Sequence, residues 1–335
     1  MPFRSKGHLT NFAVYFFETY PISSVISLTK QNTYTMAISK LEQLFDLLKS
    51  KPKKRLVAAF ANDAHTIEAV HAAVEKGIID ASLTGDEINI RKICQEHGFD
   101  SSRFEIFNEP DEQKAASLAV QLINQGNANL LMKGSLSTDK YMRAILNKEK
   151  GLCNEGAVLS HVTVMEFPTH PKLLTLGDVA IIPLPDFKQK LKIIDYMVKT
   201  AKAIGVEKPK VAVIAATEQM LAGMSACVDG AMLAKMSDRG QIAGCIVDGP
   251  LSLDCAIDPE SVQLKKVTGP VAGDADCLLF PSIEAGNVFF KGSTKLAGAE
   301  LAAFVAGARV PCVLTSRGDS ALTKTYSIAL AALLA

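Results

Sequence analysis

Three stretches of this sequence carry residue types suited to handling anions. The first is TSRGD at residues 315–319, which follows the apolar run 310–314 and precedes a helical pattern. The free N–H groups and dipole at a helix start bind phosphate. Arg317 beside Ser316 offers a bidentate fork together with a hydroxyl donor. The structural alternative is a serine cap with a surface arginine. The second stretch is KGSLSTDKYMRAIL at residues 133–146, where an apolar run ends in Lys133 and Ser135, with Thr138 and Arg143 beyond. The third is GDADCLLFPSIEAGNVFFK at residues 273–291, which reads as a buried strand running into a polar turn with Asn287 and Lys291. Glu284 in that turn reads as a capping carboxylate rather than a catalyst.

The elements that must position these residues follow a regular pattern. Continuous apolar runs at 55–60, 81–84, 130–132, 173–176, 211–216, 245–247, 277–280 and 310–314 suit strands buried on both faces of a parallel sheet. Helical stretches are expected at 111–125, 187–204, 227–239, 295–306 and 321–330. Strand–helix alternation argues for an α/β fold with mainly parallel strands, whose ligands gather at the carboxyl ends of strands. No linker or repeat divides the chain. A length of 335 residues suggests about two domains that share an interface.

Several chemistries lose support. No G-x-G-x-x-G, Walker A loop or G-x-S-x-G elbow is present. The chain carries 36 basic and 35 acidic residues, without the basic excess of a nucleic-acid binder. Its seven cysteines never form C-x-x-C and its six histidines never form H-E-x-x-H, so no metal is expected and the thiols read as reduced, in a cytoplasmic protein. No apolar run suits a membrane span. Residues 1–35 fall outside the α/β pattern and read as a dispensable extension before Met36.

The stretches KGSLSTDKYMRAILNKEKGL, LSHV, VDGPLSLDCAI, GDADCLLFPSIEAGNVFFK and VPCVLTSRGDS together resemble the phosphate acetyl/butyryl transferase family over about residues 40–335. The resemblance implies a two-domain α/β fold similar to isocitrate and isopropylmalate dehydrogenases, with the active site in the interdomain cleft. Residues 36–155 plus 300–335 would form one domain and 156–299 an inserted second. It implies acyl transfer between coenzyme A and inorganic phosphate, with coenzyme A as substrate, no resident cofactor and a homo-oligomer, at least a dimer.

Ser316 and Arg317 match the family's active-site pair, and Arg143 matches its CoA-phosphate arginine. The acetyl branch places a catalytic aspartate where this chain has Thr323. Asp319, three residues after Ser316, is the carboxylate expected to replace it, and its alternative role is to cap the last helix. Lys133, Ser135, Thr138, Asn287 and Lys291 are the further substrate-binding candidates. His161, beside an apolar strand, reads as structural or as the next candidate base. Asp254 reads as structural, in a turn after a strand. GPLSLDCA and the terminal SIALA look more like the butyryl branch, with a phosphate acetyltransferase as the alternative. Remoter alternatives are an NAD-dependent decarboxylating dehydrogenase and a non-catalytic acyl-CoA-binding protein.

Overall fold

The computed structural model describes residues 37–316 and 318–335. The expectations for residues 1–35 and for Arg317 lie outside the described residues.

Among the described residues, eleven strands form one sheet: β1 (Lys54–Ala59), β2 (Ile79–Gly85), β3 (Phe104–Asn108), β4 (Leu130–Lys133), β5 (Ser160–Glu166), β6 (Leu174–Gly177), β7 (Lys210–Ile214), β8 (Ile246–Leu251), β9 (Cys277–Leu279), β10 (Glu300–Ala306) and β11 (Cys312–Val313). Helices α1 (Gln43–Lys49), α2 (Ala64–Glu75), α3 (Glu87–His97), α4 (Glu112–Asn124), α5 (Thr138–Ile145), α6 (Phe187–Ala203), α7 (Ser225–Asp238), α8 (Leu253–Ile257), α9 (Pro259–Lys265), α10 (Ile283–Leu296) and α11 (Ala321–Leu334) connect them. The strand order is β3-β2-β1-β4-β11-β10-β5-β6-β9-β7-β8. Strands β3, β2, β1, β4 and β11 run parallel, as do β6, β9, β7 and β8. The antiparallel pairs are β11–β10, β10–β5 and β5–β6, which join the two blocks.

The sequence expected a helix at 295–306, yet β10 occupies its second half. Alanine favours a helix locally. Here Gly298, at φ +65°, ends the preceding turn, and residues 301–306 are buried between β11 and β5. Full burial between two strands decides against local propensity. The converse correction is at 283–296. The expected polar turn is helix α10, and Asn287 and Lys291 stand one turn apart on it. Asp254, expected in a turn, lies in the first turn of α8.

Helix α11 is buried on all sides. Ile328, Leu330 and Leu333 pack with Leu56, Ile67, Val162 and Phe304, which ties the helix to both the β1 side and the β5–β10 seam. Ser327 Oγ donates to Thr323 O at 2.9 Å and accepts from Ala303 N at 3.0 Å, fixing the helix against β10. Tyr141 of α5 is fully buried and donates to Val313 O at 3.1 Å. That bond fastens α5 under the end of β11 and satisfies a hydroxyl whose stranding would cost about 1–3 kcal/mol.

Candidate active site

The carboxyl ends of β1, β4 and β11 converge, and the chain there is shaped by close backbone approaches. Phe60, just after β1, has φ +56°, an uncommon conformation for a bulky residue that marks functional sites. Its carbonyl accepts from Ser135 N at 2.9 Å and from Ser135 Oγ at 3.1 Å. Gly134 is required between them, because a Cβ there would lie 2.2 Å from Phe60 O. Lys133 is buried, with Nζ donating to Gly134 O at 3.1 Å.

After β11, Thr315 and Ser316 enter a short turn before α11. Ser316 N donates to Asp319 Oδ2 at 2.7 Å, and Asp319 N donates back to Ser316 O at 3.2 Å. The cap of α11 is Ser320, whose hydroxyl accepts from Thr323 N at 3.0 Å. Asp319 therefore holds the Ser316 turn rather than capping the helix. Thr323 is buried, and its hydroxyl donates to Glu300 Oε2 at 3.1 Å.

Two cavities meet at Thr315 and Ser316. One, of about 230 Å³, is lined by Lys133, Gly134, Ser135, Asp63, His65, Thr66 and Lys324 besides the shared pair. The other, of about 280 Å³, is lined by Thr138, His161, Asn287, Lys291, Asp319 and Ser327, together with the apolar Ala180, Phe290, Leu301, Ala303 and Leu314. Seven of the residues proposed from sequence thus share these cavities: Lys133, Ser135, Thr138, Asn287, Lys291, Ser316 and Asp319. Arg143 does not line either one. It lies on the exposed face of α5, with Nη2 3.0 Å from Asp139.

The second cavity depends on α10. Gly286 allows that helix to approach the chain after β6, where a Cβ would lie 2.6 Å from Asp178 O. Asn287 Nδ2 donates to Val179 O at 2.9 Å, and Lys291 Nζ sits 4.6 Å from the centroid of the Phe290 ring. Asp178 is buried and accepts from Ala180 N and Ile181 N at 2.8 and 3.1 Å.

His161 is buried on β5, with Nδ1 3.0 Å from Thr163 Oγ1. Burial pushes its pKa below the usual imidazole value. The charges of Asp178 and Asp319 oppose that shift, and Lys291 adds to it. The ring is therefore held neutral, and it lines the cavity beside Ser316 and Asp319.

Sequence reasoning missed Lys324 and Thr66, which line the smaller cavity. The signal available for Lys324 was a lysine inside the otherwise apolar and hydroxylic run ALTKTYSIALAALL. Among the described residues, Glu218, Asp254 and Cys255 are the group whose ligand atoms lie close enough to hold a metal. Lys265 already supplies a cation there, 2.8 Å from Asp254 and 3.7 Å from Glu218. Its hydrogen bond and that of Ser252 draw the Asp254 pKa down to about 2, in keeping with a structural role. Among the described residues, no helix is long and apolar enough to cross a membrane.

A family described as phosphate acetyl/butaryl transferase matches residues 109–332. The chain is 47% identical over 298 residues to a phosphate butyryltransferase of Clostridium acetobutylicum, covering 89% of this chain and 99% of that one. It is 41% identical over 295 residues to a phosphate acetyltransferase of Thermotoga maritima, covering 88% and 99%. The solved structure of a branched-chain phosphotransacylase from Enterococcus faecalis V583 matches with TM-score 0.74 at 28% identity, over 84% of this chain and 98% of that one. A 4-hydroxythreonine-4-phosphate dehydrogenase from Klebsiella pneumoniae, with TM-score 0.51 at 13% identity over 84% and 98%, shares the fold alone. Fold and site define an α/β transacylase. The chain belongs to the phosphate acetyl/butaryl transferase family.

The neutral state of His161 has a measurable consequence. Its folded pKa lies below the unfolded value of about 6.5. As pH falls through that value, the unfolded chain takes up a proton that the folded chain does not, so stability is lost toward acid. The drop in Tm from about pH 7.5 to about pH 5.5 should therefore be smaller in His161→Gln than in the wild type. Equal drops would show that His161 titrates normally in the folded protein.

Proposed function

We infer that the protein transfers a short acyl group between coenzyme A and inorganic phosphate, with butyryl favoured over acetyl. The observation that carries this reading is the turn at Thr315 and Ser316, which borders both a cavity holding Lys133 and Lys324 and one in which Asn287 and Lys291 stand beside the apolar Phe290, Leu301, Ala303 and Leu314. A phosphate oxygen attacks the thioester carbonyl carbon, and a tetrahedral oxyanion forms. The C–S bond then breaks, giving acyl phosphate and the coenzyme A thiol. Ser316 donates to the phosphate or to the developing oxyanion, and Arg317 positions and neutralises the phosphate. Lys133 and Ser135 serve the phosphate side. Thr138, Asn287 and Lys291 serve the thioester side, and Arg143, at the exposed face of α5, meets a phosphate of coenzyme A.

The reaction as read needs no metal or redox cofactor. The enzyme is placed in the cytoplasm, in keeping with its seven free cysteines. A homo-oligomer, at least a dimer, fits the exposed Val228 and Met232, one turn apart on α7. The two parallel blocks support a division into residues 36–155 plus 300–335 and residues 156–299, as in isocitrate and isopropylmalate dehydrogenases, with the site in the cleft between them.

Leu301, Ala303, Leu314 and Phe290 give an acyl chain apolar walls. Two further methylenes buried there contribute about 0.8 kcal/mol each, or roughly tenfold together. With phosphate saturating, kcat/KM for butyryl-CoA should exceed that for acetyl-CoA by about that factor. An equal or inverted ratio would assign the chain to the acetyl branch.

In the reverse direction the thiol of coenzyme A must lose a proton, and a positioned base contributes about 10²- to 10⁴-fold. Asp319 is given this role, because it lines the acyl cavity and, while Oδ2 is committed to Ser316 N, Oδ1 has no hydrogen-bond partner among the described residues. Asp319→Asn keeps an acceptor for that N–H and removes the basicity. Turnover of butyryl phosphate with coenzyme A should fall at least about a hundredfold with little change in Tm. A loss within about tenfold would move the base to the neutral His161.

A further inference from the structure

Lys324 is the lysine of the smaller cavity that the reaction as read has not used. It stands in the first turns of α11, where the helix dipole disfavours a cation. The residue is only 4% exposed. Among the described residues its ammonium has no hydrogen-bond or ion-pair partner, and it lines the cavity that Ser316 also lines. Buried charges are paired in native proteins, or they are held for a ligand of opposite charge. The carboxylate in this cavity, Asp63, is already engaged, since it accepts from Thr66 N at 2.9 Å and from Thr66 Oγ1 at 2.6 Å.

Three further residues of the wall can meet an oxyanion. Lys133 brings a second buried cation from the end of β4. Ser135 and Ser316 add hydroxyls. A tetrahedral oxyanion fits this set, because each oxygen can accept a charged or hydroxyl donor while the cations offset its charge. Two sources could supply one: inorganic phosphate, and the phosphate groups of coenzyme A. Ser316 favours the first, because it also borders the acyl cavity and so brings the anion next to the thioester carbonyl.

We propose that Lys324 is a phosphate-binding residue, and that the cavity between Lys324 and Lys133 seats the inorganic phosphate that accepts the acyl group. This rests on the acyl-transfer reading. It adds that the acceptor's charge is balanced from within the last helix, one residue after Thr323.

The test compares wild type with Lys324→Met, which keeps the length of the side chain and removes its charge. Initial rates with butyryl-CoA give separate KM values for phosphate and for acyl-CoA, and calorimetric titration gives phosphate binding without turnover. The expected result is a phosphate KM raised about 10- to 150-fold, an acyl-CoA KM nearly unchanged, and weakened calorimetric phosphate binding. An unchanged phosphate KM, or a rise confined to acyl-CoA, would overturn the assignment, and the latter would give the cavity to coenzyme A. A wild type that binds phosphate through Lys324 but makes no acyl phosphate would keep the site and remove the acyl-transfer reading. Should Lys324→Met fail to fold, a crystal of the wild type soaked in inorganic phosphate decides the matter. Density within about 3 Å of Lys324 Nζ supports the proposal, and phosphate bound elsewhere overturns it.

Discussion

The hydrogen bond from Ser316 N to Asp319 Oδ2, at 2.7 Å, holds the turn on which both cavities depend. The chain leaves β11 after Val313 and must reverse into α11 within a few residues. Without a local acceptor, Ser316 N would point into a turn with no strand beside it. Asp319 supplies that acceptor, and Ser320 takes over the capping of the helix. The result is a ridge of Thr315 and Ser316, with Lys133 and Lys324 on one side and Lys291 among apolar side chains on the other.

The ridge is precise because what surrounds it is packed on both faces. Helix α11 is buried all round and pinned to β10 through Ser327. Tyr141 fastens α5 beneath β11, and Gly134 lets the end of β4 lie against Phe60. Gly286 plays the same part for α10, bringing Asn287 and Lys291 over the second cavity. A near-neutral chain can concentrate cations here because Lys133, Lys291 and Lys324 arrive from three elements far apart in sequence.

Much of this was legible in the residues alone. Apolar runs marked β1, β2, β4, β6, β7, β8, β9 and β11 because strands buried on both faces cannot afford polar residues. Polar turns after β4 and β11 marked where Lys133, Ser135 and Ser316 would meet. What failed was decided by tertiary context. The alanines of β10 favour a helix until β5 and β11 enclose them. The glycine and asparagine of α10 suggest a turn until the close approach to Asp178 explains the glycine. Lys324 escaped because its one signal, a lysine in an otherwise apolar and hydroxylic helical run, does not say which cavity it enters. Arg143 was named from the family resemblance alone, and α5 carries it on its exposed face beside Asp139.

Phosphate, not water, is expected to take the acyl group at Ser316. The most direct measurement follows butyryl-CoA with inorganic phosphate by ³¹P NMR while thiol release is recorded on the same sample. One butyryl phosphate should form for each thiol released, with no thiol released when phosphate is omitted. Thiol release that continues without phosphate, giving free butyrate in place of butyryl phosphate, would contradict it and make the protein a hydrolase.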